Sequence, residues 1–292
     1  MPIGFRPRII SEKPAPRRRH LYEGSGKVLC DGIEPGTFVL YFKDDIEASA
    51  PPVPETDEVP VPEAAEAVEQ PPKKKIPGKG IVNNRISDLL MSRLGDLGIE
   101  THLIKRLNSR EQLVRAAEPL PFQIVMHNIA ADYFAKRLGL EEGTYLPEPL
   151  PEFHLRTSET TDTVISDRHV ISLGWASESE VEDILAAAQR INDYLSGQFL
   201  ALGIRLVTIS LEFGRAYLAD FIDDTQIILI DEISPDTCHL LDVKTGLRLD
   251  KSRIKISEEG ISDSAFYQEV AEKLGISLES SLVSINAPLV QV

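Results

Sequence analysis

Wherever β-prone runs follow one another in this sequence, the link between them is a turn of a few residues. His20–Glu23, Lys27–Cys30 and Thr37–Phe42 are separated by Gly24-Ser25-Gly26 and by a stretch holding Glu34-Pro35-Gly36. Ile204–Phe213, Ala216–Ala219 and Thr225–Ile230 follow the same plan. Parallel neighbours need a crossover of a dozen or more residues, so these strands must pair antiparallel. Helical periodicity occurs between the strand groups and not in regular alternation with single strands. The class is therefore α+β.

The helices are marked by apolar spacing and by their ends. Residues 81–98 place Ile86, Leu89, Leu90 and Leu94 on one face and stop at Gly98. Ser177-Glu178-Ser179-Glu180 is a capping box, and the helix it opens repeats apolar residues from Val181 to Leu202 before Gly203. Shorter helices are expected over 109–117, 129–138 and 264–274. Pro121–Met126 reads as a strand, and 140–175 as loop with short strand. No internal repeat is evident. Residues 1–19 form a basic, proline-interrupted arm. Residues 47–77 are rich in Pro, Ala and Glu, end in Lys73-Lys74-Lys75, and cannot build a core. The expected organisation is the flexible arm 1–19, a β-rich N-terminal lobe 20–126 broken by the disordered insertion 47–77, and an α+β lobe 127–292.

Composition narrows the function. The 292 residues carry a net charge of −15, which argues against a general nucleic-acid binder. An acidic chain that binds anions must concentrate its positive charge in a few places. No apolar run reaches the length of a membrane span, so no membrane partner is expected. Only two cysteines, Cys30 and Cys238, are present. That excludes a disulfide framework and points to a cytoplasmic setting.

Three segments could carry chemistry. Gly24-Ser25-Gly26-Lys27 could lay backbone N–H groups over phosphates with a lysine beside them, or be an ordinary hairpin turn. No helix follows, so it is not a Walker loop. Glu212 and Asp231 sit on strands close in sequence, and paired carboxylates of this kind suit Mg²⁺; they also suit the wet face of a sheet. Asp231-Glu232-Ile233-Ser234-Pro235-Asp236-Thr237-Cys238 is a turn-rich loop after an apolar strand, a common carrier of sites. His127 and His239 end apolar stretches and could bind anions or move protons. Their spacing matches no zinc motif, so metal ligation by them is not expected.

Eight short segments then add up to a resemblance. They are Leu21–Gly24 with Lys27, Phe42–Asp45, Lys79–Asn84, Gly98–His102, Lys136–Gly139, Leu211–Gly214, Asp231–Cys238 and Tyr267–Val270. In this order they resemble the phosphoribosylaminoimidazole-succinocarboxamide synthase (SAICAR synthetase) family over roughly residues 20–275. The resemblance implies an ATP-grasp-like fold of two lobes with antiparallel sheets and a nucleotide cleft between them. It implies a ligase of purine biosynthesis that uses ATP to join carboxyaminoimidazole ribotide to L-aspartate. Catalysis would fall to Lys27, Glu212 and Asp231. ATP would meet Gly24, Ser25, Gly26, Lys27, Glu212 and Asp231, with Mg²⁺ on Glu212 and Asp231. His127, Asn128, His239 and Lys255 would line the substrate pocket. The partners are small molecules, and a homo-oligomer stays open.

The chain departs from the family pattern at one end of that pocket. The turn reads Gly-Ser-Gly-Lys where the family has Gly-Lys-Ala-Lys. His127 and His239 replace arginines, Asp132-Tyr133 replaces Gly-Ser, Thr208-Ile209-Ser210 replaces Asp-x-Lys, and Lys255 replaces an arginine. Three readings stand: a synthase with a remodelled pocket, a paralogue acting on another substrate, and a nucleotide-binding regulatory protein.

Overall fold

The computed structural model describes residues 18–46, 74–156, 163–217, 225–257 and 260–277; the side chains of 255–257, 260 and 262 also lie outside the description. Strands β1 (His20–Glu23), β2 (Lys27–Asp31) and β3 (Thr37–Phe42) form the expected antiparallel meander. The chain then makes a short strand, β4 (Asp45–Ile46), paired with β5 (Lys74–Lys75). Residues 1–17 and 47–73, where an arm and most of an insertion were expected, lie outside the described residues. Residues 74–77 do not continue a disordered insertion. Lys74 pairs with Ile46, and Ile76 is buried in the main core.

Helix α1 (Lys79–Asp96) starts against the end of β3. A Cβ at Gly80 would lie 2.4 Å from the Phe42 carbonyl oxygen, so only glycine permits this approach. The helix is capped from outside. The Asp44 carboxylate accepts hydrogen bonds from the N–H groups of Gly78 and Gly80 at 3.2 and 2.9 Å. Arg110 donates to both Asp44 oxygens at 2.8 Å, and these bonds hold the Asp44 carboxyl below the usual range against the cost of burial.

Strands β6 (Leu103–Arg106) and β7 (Glu111–Arg115) complete a five-stranded sheet of order β1-β2-β3-β7-β6. The helix expected over 109–117 is thus a strand. Glu111, Gln112 and Leu113 favour helix locally, but pairing to β3 on one side and β6 on the other satisfies the same backbone groups and overrides that preference.

The second sheet begins with β8 (Glu118–Ile129), twelve residues where six were expected. After α2 (Asp132–Leu138), closed by Gly139 at φ +64°, comes β9 (Tyr145–Leu155). Loop with short strand was expected here, and Pro147, Pro149 and Pro151 cannot donate to a ladder. They are tolerated because β10 (Thr163–Ile165) pairs only with Phe153–Leu155, leaving the outer side of the proline stretch unpaired. Helices α3 (Asp167–Ser172) and α4 (Glu178–Ala201) follow. Strand β11 (Ile204–Tyr217) runs unbroken through Gly214, where two strands were expected. Hairpin partner β12 (Thr225–Ile230) and the unforeseen β13 (Cys238–Asp242) both pair with β11. The sheet order is β10-β9-β8-β11-β12, with β13 beside β11. A small hairpin, β14 (Lys255–Ser257) and β15 (Gly260–Ser262), and helix α5 (Phe266–Lys273) end the described chain.

Alternation decides which face of the second sheet is buried. Phe122, Ile124 and Met126 of β8, Ile209, Leu211 and Phe213 of β11, and Leu240 of β13 pack with α4 in one large core. Their even- or odd-numbered neighbours, including His127, Thr208, Ser210, Glu212 and His239, point to the opposite face.

The capping box at α4 is present in full. Glu180 N–H donates to Ser177 Oγ at 3.2 Å, and Ser177 N–H donates to Glu180 Oε2 at 2.7 Å. Arg215 of β11 also donates to Glu180 Oε1 at 2.6 Å, tying the helix start to the sheet. The Arg215 hydrogen bond lowers the Glu180 pKa from 4.5 to about 2. A depressed carboxylate pKa stabilises the fold above the unfolded value and stops doing so as pH falls through the folded value. Glu180→Gln should therefore cost about 1 kcal/mol at pH 7 after solvent screening. In urea unfolding the gap to wild type should narrow between about pH 4 and 2. A gap independent of pH would show that the charge contributes nothing.

Candidate active site

The open face of the second sheet has two chemical ends, set by register. Thr208 of β11 pairs with His127 of β8 on one side and His239 of β13 on the other. Glu212, four residues further along β11 and on the same face, lies roughly 13 Å away at strand rise. Glu212 pairs with Ile230, the last residue of β12, and Asp231 follows directly. Carboxylates thus gather at one end and histidines at the other.

At the carboxylate end the two sheets meet. Lys27, first residue of β2, reaches across and forms ion pairs with Asp231 and with Glu232, the latter at 2.8 Å. Burial alone would lower the Lys27 pKa, but Asp231 and Glu232 hold it well above the usual value. Burial likewise opposes an ionised Asp231, and the Lys27 charge outweighs it, so the Asp231 carboxyl stays below its usual range. Glu212 gains less. Burial, then Asp231, push its pKa up to about 7, although Arg156 donates to it at 2.5 Å. Asp231 sits at φ +67°, a left-handed backbone uncommon outside glycine and best tolerated by Asp and Asn.

Several residues here were quoted only as parts of motifs or passed over. Glu232 is buried, and its Oε2 has no hydrogen-bond partner. His102 is buried against the Asp231 backbone, and burial lowers its pKa to about 4, so it is neutral at pH 7. It is delivered by the segment after α1, whose backbone docks on β12 through Leu229. Lys79 is 3% exposed and donates to Asp236 at 2.5 Å; Asn83 and Tyr267 donate to the same carboxylate at 2.9 and 2.5 Å. The signal for these residues was their charge in an apolar setting, which marks burial only once the helix faces are known.

The glycine turn closes onto this cluster. Gly24 N–H donates to the Lys27 carbonyl at 2.9 Å, and Ser25 and Gly26 complete the turn. Lys79 Nζ would lie 3.7 Å from a Cβ built at Gly26. A second ammonium group therefore stands beside the turn although Ser25 and Gly26 supply none. This backbone turn with two lysines fits phosphate groups. For a divalent cation the fit is looser: Asp231 and Glu232 both pair with Lys27, one Glu232 oxygen is orphaned and Glu212 feels both charges, but the three carboxylates do not draw their oxygens together into a ready-made ligand set.

At the histidine end the expected residues part company. His127 is 6% exposed and stacks on Phe134 of α2 with ring centroids 4.0 Å apart. Asn128 points to the other face, where it and Asn192 of α4 exchange hydrogen bonds at 2.8 and 2.9 Å. His239 is more open and lies 3.5 Å from Asp132. Asp132 also accepts from both Arg248 terminal nitrogens, at 3.0 and 2.7 Å. Hydrogen bonds from His239, then Arg248, hold the Asp132 carboxyl well below its usual range. The charge that Asp132 adds is thus matched by an arginine that the motifs did not reveal. Lys255 belongs to β14, and its side chain lies outside the description.

Comparisons with known proteins agree on one family. The SAICAR synthetase family model matches residues 61–273. A phosphoribosylaminoimidazole-succinocarboxamide synthase of Rhodospirillum centenum is 45% identical over 93% of this chain and 98% of its own length. One from Sinorhizobium fredii is 45% identical over 90% and 94%. The crystal structure of the Ehrlichia chaffeensis synthase superposes with a TM-score of 0.75 at 35% identity, covering 89% of this chain and 99% of that one. A SAICAR synthetase structure in complex with ADP gives 0.71 at 31% identity, covering 87% and 96%. No helix among the described residues is long and apolar enough to cross a membrane. With its two antiparallel sheets meeting at Lys27, Asp231 and Glu232, this chain belongs to the SAICAR synthetase family.

Proposed function

We propose that the chain joins carboxyaminoimidazole ribotide to L-aspartate at the expense of ATP, releasing SAICAR, ADP and phosphate. The observation that carries this is the Lys27 ammonium between Asp231 and Glu232, on the face that also presents Glu212. The relatives support a ligase over a regulatory protein without activity, since those at 41–45% identity bear the synthase name along nearly their whole length.

The chemistry needs positioning and charge neutralisation more than bond-making groups. A carboxylate oxygen is a poor leaving group. Phosphoryl transfer onto the ribotide carboxylate makes that oxygen leave as phosphate. The aspartate amine then attacks the same carbon, forms the C–N bond and gives up a proton. Gly24, Ser25 and Gly26 cradle phosphate through backbone N–H groups, while Lys27 and Lys79 supply positive charge. Glu212 and Asp231, with Glu232 beside them, hold Mg²⁺, which when bound neutralises the phosphate oxygens. His102 keeps the strained Asp231 backbone in place. His239 and Lys255 carry the anionic end of the ribotide; His127 and Asn128 fix the strand beneath it. The partners are these small molecules, and the setting is the cytoplasm.

The direct test supplies carboxyaminoimidazole ribotide, aspartate, ATP and Mg²⁺ and follows ADP and the succinocarboxamide product. Equal amounts of both at ordinary enzyme rates are expected. ATP binding with no product at any pH between 6 and 8 would reject the reading. Asp231→Asn tests the metal assignment, because asparagine tolerates the same backbone. Its kcat/KM should fall by about a hundredfold or more, with the ligand-free melting temperature nearly kept. A large loss of stability with unchanged turnover would make Asp231 structural.

A further inference from the structure

On the same sheet face, away from Lys27, three metal-ligating side chains converge that the ligase chemistry does not use. Strands β8 and β9 pair His127 with Leu150, Val125 with Glu152 and Gln123 with His154, so His127, Glu152 and His154 share one face within two register steps. Glu152 Oε2 lies 3.2 Å from His127 Nε2 and 3.3 Å from His154 Nε2. One donor atom from each of the three lies within 4.8 Å of the other two. We propose that His127, Glu152 and His154 form a binding site for a divalent transition-metal ion of the Zn²⁺ class, separate from the carboxylate cluster at Asp231.

Four observations point the same way. First, His127 is 6% exposed, and neither ring nitrogen has a hydrogen-bond partner. Its Nε2 is close to Glu152 but not aligned to share a proton with it, which leaves a buried donor or acceptor unused. A metal ion drawing on that nitrogen removes the anomaly. Second, the spacing suits tetrahedral coordination. Zn–N and Zn–O bonds of about 2.0–2.1 Å place neighbouring ligand atoms about 3.3 Å apart, the separation seen on both sides of Glu152. Third, two imidazoles and one carboxylate select transition metals; Mg²⁺ takes oxygen ligands and would not choose this set. Three protein ligands leave a fourth position for water or an anionic ligand, as open zinc sites do. Fourth, the ligands are already held. Arg137 donates to the other Glu152 oxygen, and Phe134 fixes the His127 ring by stacking. Arg248 at the histidine end is paired with Asp132, so a bound divalent ion would add positive charge there.

The test titrates the metal-free full chain with ZnCl₂ by calorimetry and measures retained zinc after dialysis. The Glu212→Gln, Asp231→Asn double variant serves as a background in which the carboxylate cluster is disabled. Expected are one retained equivalent at micromolar affinity or tighter in both backgrounds, and an intense visible spectrum when Co²⁺ replaces Zn²⁺. His127→Asn and His154→Asn should each weaken binding at least tenfold, with melting curves confirming that both fold. His154→Asn, on the outer strand side, keeps the test decisive where His127→Asn fails to fold. No retained zinc in the wild-type chain would overturn the proposal. So would zinc that survives both histidine changes, or zinc lost only when Glu212 and Asp231 are replaced.

Discussion

The Lys27 ammonium, buried between Asp231 and Glu232, is the interaction on which the rest of the site depends. It is the point where the first sheet touches the chemistry of the second. Without it, Asp231 and Glu232 would lose the ammonium they share, and Glu212 would keep its pair with Arg156. Ionised groups so placed cost several kcal/mol unless paired. Burial first, and the Asp231 charge second, push the Glu212 carboxyl up even with Lys27 present. The proposed reaction would bring a cation and its phosphates to this cluster and to the glycine turn beside it.

The surrounding structure serves that cluster. Asp44 caps α1 from outside, and the Gly80 approach to Phe42 seats the helix start so that Lys79 stands beside the turn. Gly98 ends the helix and sends His102 back against β12. Glu180 and Arg215 lock α4 under the sheet whose other face carries Glu212. Each device is local and legible in physical terms: a cap, a close contact, a left-handed residue, an ion pair.

The antiparallel meander, the α4 capping box and the turn-rich loop after β12 could be read in the sequence because each has a local cause. Alternation, hydrogen-bonding side chains and proline or glycine placement act within a few residues. The strand β7 could not be read, because its partners Thr37–Tyr41 lie seventy residues earlier and only pairing to them overrides a helix-prone composition. The length of β9 could not be read either, because its prolines forbid an inner strand but not one with a free side. In the candidate site, motif order singled out Lys27, Glu212 and Asp231, and the structure puts Lys27 on Asp231 with Glu212 near enough to feel its charge. Glu232, Lys79 and Arg248 were not singled out, since their roles depend on which strand faces which. His127 and Asn128 are adjacent in sequence yet face opposite sides of the sheet, so one residue of the pair meets Phe134 and the other meets Asn192.

The central claim is that the junction of the two sheets is an electrostatic cradle for positive charge, filled in part by Lys27. The most direct measurement is the melting temperature of wild type and Lys27→Met with and without millimolar Mg²⁺. Removing one member of a buried ion pair should cost about 3 kcal/mol in the absence of the cation. Mg²⁺ should then stabilise Lys27→Met more than wild type, because it takes over the charge that the lysine supplied. An unchanged melting temperature in Lys27→Met, or equal Mg²⁺ shifts in the two proteins, would contradict the account.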